Sequence, residues 1–164
     1  MAMQQGSLDL LNDPLAQQLL TSTLPARLAY TWTDGTPRVV PIWFHWNGSE
    51  VVFGSPLDAP KLQALHDGDK VALTIDGDTF PYKVLLIRGS VRTDIVEGLS
   101  PEYEASATRV FGEEQGGAWV ENLRAIAPQT ARIRVTPEWV GLIDFETRFP
   151  SAVERAMERA HAQA

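Results

Sequence analysis

Two dipeptides, Asp34-Gly35 and Asn47-Gly48, constrain this chain more than any other feature. Each lies between runs of apolar and β-favouring residues. Asp-Gly and Asn-Gly in that setting are strong hairpin signals, because a tight type I′ turn needs positive φ at both central residues. Before the first lies "ARLAYTWT". There Leu28, Tyr30 and Trp32 alternate with Arg27, Ala29, Thr31 and Thr33, the period of a half-buried strand. Between the two lies Arg38 to Trp46, and after the second comes Glu50 to Gly54. The pattern predicts a three-stranded antiparallel meander over residues 27–55.

The rest of the chain reads in the same manner. Asp13 and Pro14 open a helix carrying Leu15, Leu19 and Leu20 on one side. "LDAPKLQALHDG" predicts a short helix capped by Asp58 and ended by Gly68. "VALTID" and "YKVLLIRGSVRT" are strands joined around Gly77-Asp78, the second bending at Gly89. Ser100-Pro101 opens a helix through Arg109, and Gly116-Gly117 breaks it. Trp119, Leu123 and Ile126 follow at helical spacing. "ARIRVT" and "WVGLIDF" are two further strands, and Ser151 caps a terminal helix. The expected fold is mainly β (α+β): a six- to seven-stranded antiparallel barrel with short flanking helices. Closure removes the exposed sheet edges.

At 164 residues, with 44% hydrophobic, the chain has the length and core of a single domain, 1–164. Five tryptophans exceed what such a core needs, which points to an interface or ligand site. A net charge of −7 argues against nucleic acid as a partner. With no cysteine there is no disulfide framework or thiolate metal site, and three scattered histidines make a poor metal site. No segment has the length of a membrane span and the N-terminus lacks a signal-peptide pattern, so the expected location is cytoplasmic.

In Arg38–Trp46, Val40, Ile42, Phe44 and Trp46 occupy one face and Val39, Pro41, Trp43 and His45 the other. The first face suits a barrel interior. The second is too apolar for water and suits a partner chain or a planar ligand, although a strand buried on both faces would show the same pattern. Pro41 lacks an N–H, which marks an edge or a bulge. Gly54-Ser55-Pro56 then leads to Lys61 in the expected first helical turn. There a phosphate would meet N–H groups, the helix dipole, the Ser55 hydroxyl and a full positive charge. Lys61 would equally suit a solvated surface.

This order of "RVVPIWFHW", hairpin, "VVFGS" and a lysine at a helix start resembles the FMN-binding split β-barrel family. That family includes pyridoxamine 5′-phosphate oxidase and deazaflavin (F420)-dependent reductases. The resemblance runs from about Pro25 to Ser90, and more loosely to Ser151. It implies that Arg38 opens the flavin strand and that Val39, Val40, Pro41, Ile42 and Trp43 face the isoalloxazine. Phe53, Gly54 and Ser55 would lie beside the ribityl-phosphate, with Lys61 on the phosphate. It also implies FMN, or alternatively F420, at a homodimer interface, and an oxidoreductase acting on a small molecule. Ala59-Pro60 stands where the family's oxidases carry Ser-Arg. "DFETRF" offers only Arg148 in place of their Arg-x-His signature, so the chain is not expected to be pyridoxamine-phosphate oxidase itself. No residue declares itself a general acid or base, which leaves a non-catalytic flavin- or tetrapyrrole-binding protein as the other class.

Overall fold

The computed structural model describes residues 4–163. Alternation builds β1 (Ala26–Thr31), with Ala26, Leu28 and Tyr30 buried and Arg27 and Thr31 exposed. It turns into β2 (Pro37–Ile42) through a three-residue loop, not a two-residue type I′ turn. Trp32 N–H donates to Thr36 O and Gly35 N–H to Trp32 O. Gly35 holds φ +85° while Asp34 stays out of the positive-φ region. Asp34 instead accepts the Thr36 N–H at 2.9 Å. The Asn47-Gly48 turn is likewise not a type I′ pair: Asn47 N–H donates to Glu50 O, which puts Gly48 and Ser49 at the centre. Asn47 Oδ1 accepts from Ser49 N–H and Glu50 N–H at 3.0 and 2.8 Å, and Gly48 alone takes positive φ.

The expected meander does not form. The strand that was to be its centre is divided into β2 and β3 (His45–Trp46). β2 pairs with β1, β3 with β4 (Val51–Pro56), and the sheet order β2-β1-β5-β6-β7-β4-β3 puts β2 and β3 at opposite edges. The chain crosses from one edge to the other within Trp43-Phe44. Pro41 has no N–H to extend a ladder, and Phe44, fully buried, draws the crossing onto the core. The sheet is antiparallel throughout and is not closed by hydrogen bonds. Its two edges are joined covalently, as in a split barrel, around one core that includes Leu28, Phe44, Phe53, Leu73, Ile87 and Ile133.

The count of seven strands emerges from a different division of the chain. β5 (Lys70–Asp76) and β6 (Val84–Glu97) stand where expected, but the two strands expected near the C-terminus are one, β7 (Gln129–Ile143). A bulge opposite Arg88/Gly89 lets it bend without breaking. Gly89 is required there: a Cβ would lie 2.1 Å from Thr136 O.

Helix α1 (Pro14–Leu20) is capped by Asp13, which accepts the Leu15 N–H at 2.9 Å. The helix expected after Asp58 is only a 3-10 turn, Pro60–Gln63, with Ala59 at its cap position and no side-chain capping bond. Pro60 holds Ala59 extended, so Asp58 caps nothing. α2 (Pro101–Phe111) is capped by Ser100. Gly112, at φ +83°, makes the break expected at Gly116-Gly117; those two glycines lie inside α3 (Glu113–Ile126). Gly116 lets the helices touch, since its Cβ would lie 2.9 Å from Ala107 O. α3 packs through Gly116 and Val120; of the Trp119–Leu123–Ile126 stripe, Ile126 is 76% exposed, Leu123 is half-buried and Trp119 packs against Phe111. Ser151 begins α4 (Ser151–Ala162) but does not cap it; Pro150 holds that position. Among the described residues, no helix is long and apolar enough to cross a membrane.

Candidate functional site

Strand alternation decides which residues of β2 and β4 face outward. Ile42 and Phe44 point into the core, leaving Val39 (64% exposed) and Pro41 on the outside and Trp43 half-buried. In β4, Phe53 and Ser55 are buried, and Gly54 between them faces out. The α2–α3 pair leans over that outer face. Ser100 starts α2 so that Tyr103, in its first turn, lies on Gly54; a Cβ at Gly54 would be 2.8 Å from the Tyr103 ring. A flat strand end under an aromatic ring therefore needs glycine.

Between these elements lies a cleft of about 460 Å³. Pro41, Ile42 and Trp43 line it from the end of β2, Gly54 from β4, and Tyr103 and Trp119 from the helix pair, with Lys61 and Pro25 completing the lining. Trp43 makes edge contacts with Phe111 and Trp119 at centroid distances of 4.9 and 5.9 Å, and Trp119 Nε1–H donates to Tyr103 Oη at 3.1 Å. This lining is anchored from behind. Arg109 Nε–H donates to Ser22 O at 2.8 Å, its other nitrogen bonds Phe44 O, and its guanidinium lies over the Phe44 ring. Glu102, one residue before Tyr103, is held by Arg132 of β7.

Two partly buried cations, Lys61 and Arg109, set the electrostatics here. Burial pushes the Lys61 ammonium below its ordinary value. The other two lysines pair with Glu138 and Glu146, and Lys61 has no such partner among the described residues. Burial lowers Arg109 in the same way. Burial, and after it Arg109, pushes the His45 imidazole below its ordinary value, with Glu102 opposing. No group of three or more His, Asp or Glu among the described residues is placed to hold a metal ion.

Of the residues singled out in the sequence, the cleft brings together Pro41, Ile42, Trp43, Gly54 and Lys61. The other five lie off it. Arg38 lies over the Trp32 ring at 5.1 Å, Val39 faces solvent, and Val40 packs on the core. Phe53 is in the core, and Ser55, 3% exposed, has no partner for its Oγ among the described residues. Pro25, Tyr103 and Trp119 were not singled out. Trp119 had a signal in the surplus of tryptophan; Tyr103 had none beyond following a helix cap.

No protein-family model matches the chain, and no curated protein matches it. Solved structures do. An F420 reductase aligns at 24% identity and TM-score 0.53, over 76% of this chain and 94% of the other. HutZ, the heme storage protein of Vibrio cholerae, aligns at 19% and 0.57, over 80% and 93%. A pyridoxinephosphate oxidase family protein of Clostridium acetobutylicum, related to a general stress protein, aligns at 15% and 0.53, over 79% and 85%. The chain has the split-barrel fold these proteins share.

Proposed function

We propose that the cleft binds a flavin-type cofactor, FMN or the deazaflavin F420, and that the chain is an oxidoreductase acting on a small molecule. The observation that carries this reading is Lys61: a half-buried cation with no carboxylate partner among the described residues, in the lining of an apolar, aromatic cleft. A planar ring system with an anionic tail matches that pattern of apolar wall and single charge. The cleft volume falls within the roughly 300–1,000 Å³ of small-molecule sites. Lys61 would hold the phosphate and the Pro41–Trp43 stretch would face the ring. Gly54 makes room for the Tyr103 ring at the side of the cleft. When bound, the cofactor supplies the redox chemistry; the chain supplies binding, orientation and electrostatics. The 3-10 turn is too short for a helix dipole to share the work, so the charge compensation rests on the lysine.

Val39 and Pro41 leave an apolar strip on the outer face of β2, and a second copy laid across it would cover both the strip and the cleft. The working unit is therefore a homodimer. Purification followed by absorption spectroscopy and mass analysis of the released ligand tests the cofactor. A colourless protein that takes up neither FMN nor F420 refutes the reading, and a monomer by light scattering at micromolar concentration refutes the dimer. A tetrapyrrole is the second reading. It is favoured by the His45 imidazole, which burial pushes below its ordinary value and which makes no hydrogen bond among the described residues, and by the likeness in fold to a heme storage protein. A haem spectrum in place of a flavin one would decide for it.

A further inference from the structure

We infer that Tyr103 is a specificity-determining residue of the cleft, its hydroxyl donating a hydrogen bond to an acceptor on the ring system of the bound flavin. This rests on the reading of the cleft as a flavin site. Three observations meet at the residue. The base of its ring lies on Gly54, where even a methyl group would collide with it, so the ring is held in place in the lining of the cleft. Its oxygen accepts the indole N–H of Trp119 at 3.1 Å, which occupies one acceptor position and fixes how the hydroxyl can rotate. Its own proton has no acceptor among the described residues, although the residue is half-buried.

A phenol that accepts one bond and has a proton to give is a directed donor. The lining side chains offer it nothing to donate to: Pro25, Pro41, Ile42 and Gly54 carry no polar side-chain atom, and the lysine and both indoles are themselves donors. An acceptor on a bound ligand would take that proton in place of water. Flavin and deazaflavin rings present carbonyl oxygens along one edge, so a single O–H in an apolar lining would select such a ring over a plain aromatic hydrocarbon of the same shape. Lys61 and Tyr103 thereby read different parts of one molecule, the lysine its anionic tail and the tyrosine its ring.

That division is what an experiment can separate. Binding of FMN and of riboflavin is measured by titration for the wild-type chain, Tyr103→Phe and Trp119→Phe, with thermal unfolding as the check on folding. Tyr103→Phe keeps the ring on Gly54 and removes only the hydroxyl. It should weaken FMN and riboflavin alike, by about three- to tenfold, the range for one lost neutral hydrogen bond. The ratio of the two affinities should not change. Trp119→Phe frees the hydroxyl to rotate and should weaken both ligands by a smaller factor. Wild-type affinity for both flavins in Tyr103→Phe overturns the inference and leaves the flavin reading standing, as does a loss confined to FMN. Failure of the wild-type chain to bind either flavin overturns both.

Discussion

Gly54→Ala is the substitution whose outcome the geometry specifies most closely. The added methyl would lie 2.8 Å from Tyr103 Cδ2, 3.3 Å from Cγ and 3.4 Å from Cβ. Rotating the ring cannot relieve all three, because the Cβ is fixed to α2. The helix itself would have to move, against the Glu102–Arg132 pair and the Arg109 bonds to Ser22 and Phe44. Overpacking of this kind costs about 1–3 kcal/mol. Gly54 does not hold a positive φ, so alanine also returns roughly 0.4–1 kcal/mol by stiffening the unfolded chain. The net destabilisation is about 1–2 kcal/mol, or a fall in Tm of roughly 2–8 °C for a chain this size. Denaturant titration should show a lower midpoint with an unchanged m-value. Repeating the substitution in a Tyr103→Ala background isolates the cause, since with the ring gone Gly54→Ala should be neutral or stabilising. An equal loss in both backgrounds would show that the strain lies in β4 itself and refute the contact argument.

Lys61→Ala should weaken FMN by about ten- to a hundredfold, the 1.5–3 kcal/mol of a hydrogen bond to a charged group, and leave riboflavin almost unchanged. The same lysine sets a pH dependence. Burial lowers its value in the free chain and a bound phosphate raises it, so FMN affinity should fall as pH rises through a value below that of an ordinary lysine, while riboflavin affinity stays flat. Gly89→Ala brings a Cβ to 2.1 Å from a backbone carbonyl in the β6–β7 bulge. It should cost at or above the roughly 3 kcal/mol upper end of overpacking, read as loss of the cooperative unfolding transition or of soluble protein. For Asp144, burial alone would raise the carboxyl. The N–H groups of Glu146, Arg148 and Thr147, with the Thr147 hydroxyl, outweigh it and hold the group far below the usual 3.8. Asp13 is lowered against burial by Arg148 and the Leu15 N–H. Both folded values are depressed, so their contribution is complete above the ordinary carboxylate range, starts to be lost as pH falls into it and is gone only below the depressed folded values; Asp144→Asn should flatten the acid limb of a stability–pH curve.

The parts of the fold legible in the sequence are those set by neighbours along the chain. Leu28 and Tyr30 announce their strand face, Asp13-Pro14 and Ser100-Pro101 their helix starts, and Gly35 and Gly48 their turns. What the chain does not announce locally is which edge a strand joins. Arg38–Trp46 has one unbroken apolar pattern, yet it serves two edges, because the crossing at Trp43-Phe44 is imposed by closure around the core. The bulge at Gly89 has the opposite effect, keeping one strand where two were expected. The cleft was half legible for the same reason. Pro41, Trp43, Gly54 and Lys61 sit on the barrel whose order of elements is distinctive, whereas Tyr103 and Trp119 reach the cleft only through the way α2 and α3 lean on β4.

The pairing of β4 with β7 sets an order on how the chain is made. Val51 lies opposite Val135 and Phe53 opposite Ile133, so β4 waits for a partner on the far side of β5, β6, α2 and α3. Contacts this distant in sequence form slowly, since a long loop must close before they stabilise anything. During synthesis the apolar run Val51–Phe53 leaves the ribosome with one edge bare, and it stays bare until residues past Gln129 follow. Pulse-labelled hydrogen exchange should accordingly show the β1–β2 amides protected before those of β4, and the reverse order would contradict this account. Such an interval is when a nascent chain is open to strand-edge association. Gly54 of the cleft belongs to that late strand, so the cleft is assembled only when the last strand is in place.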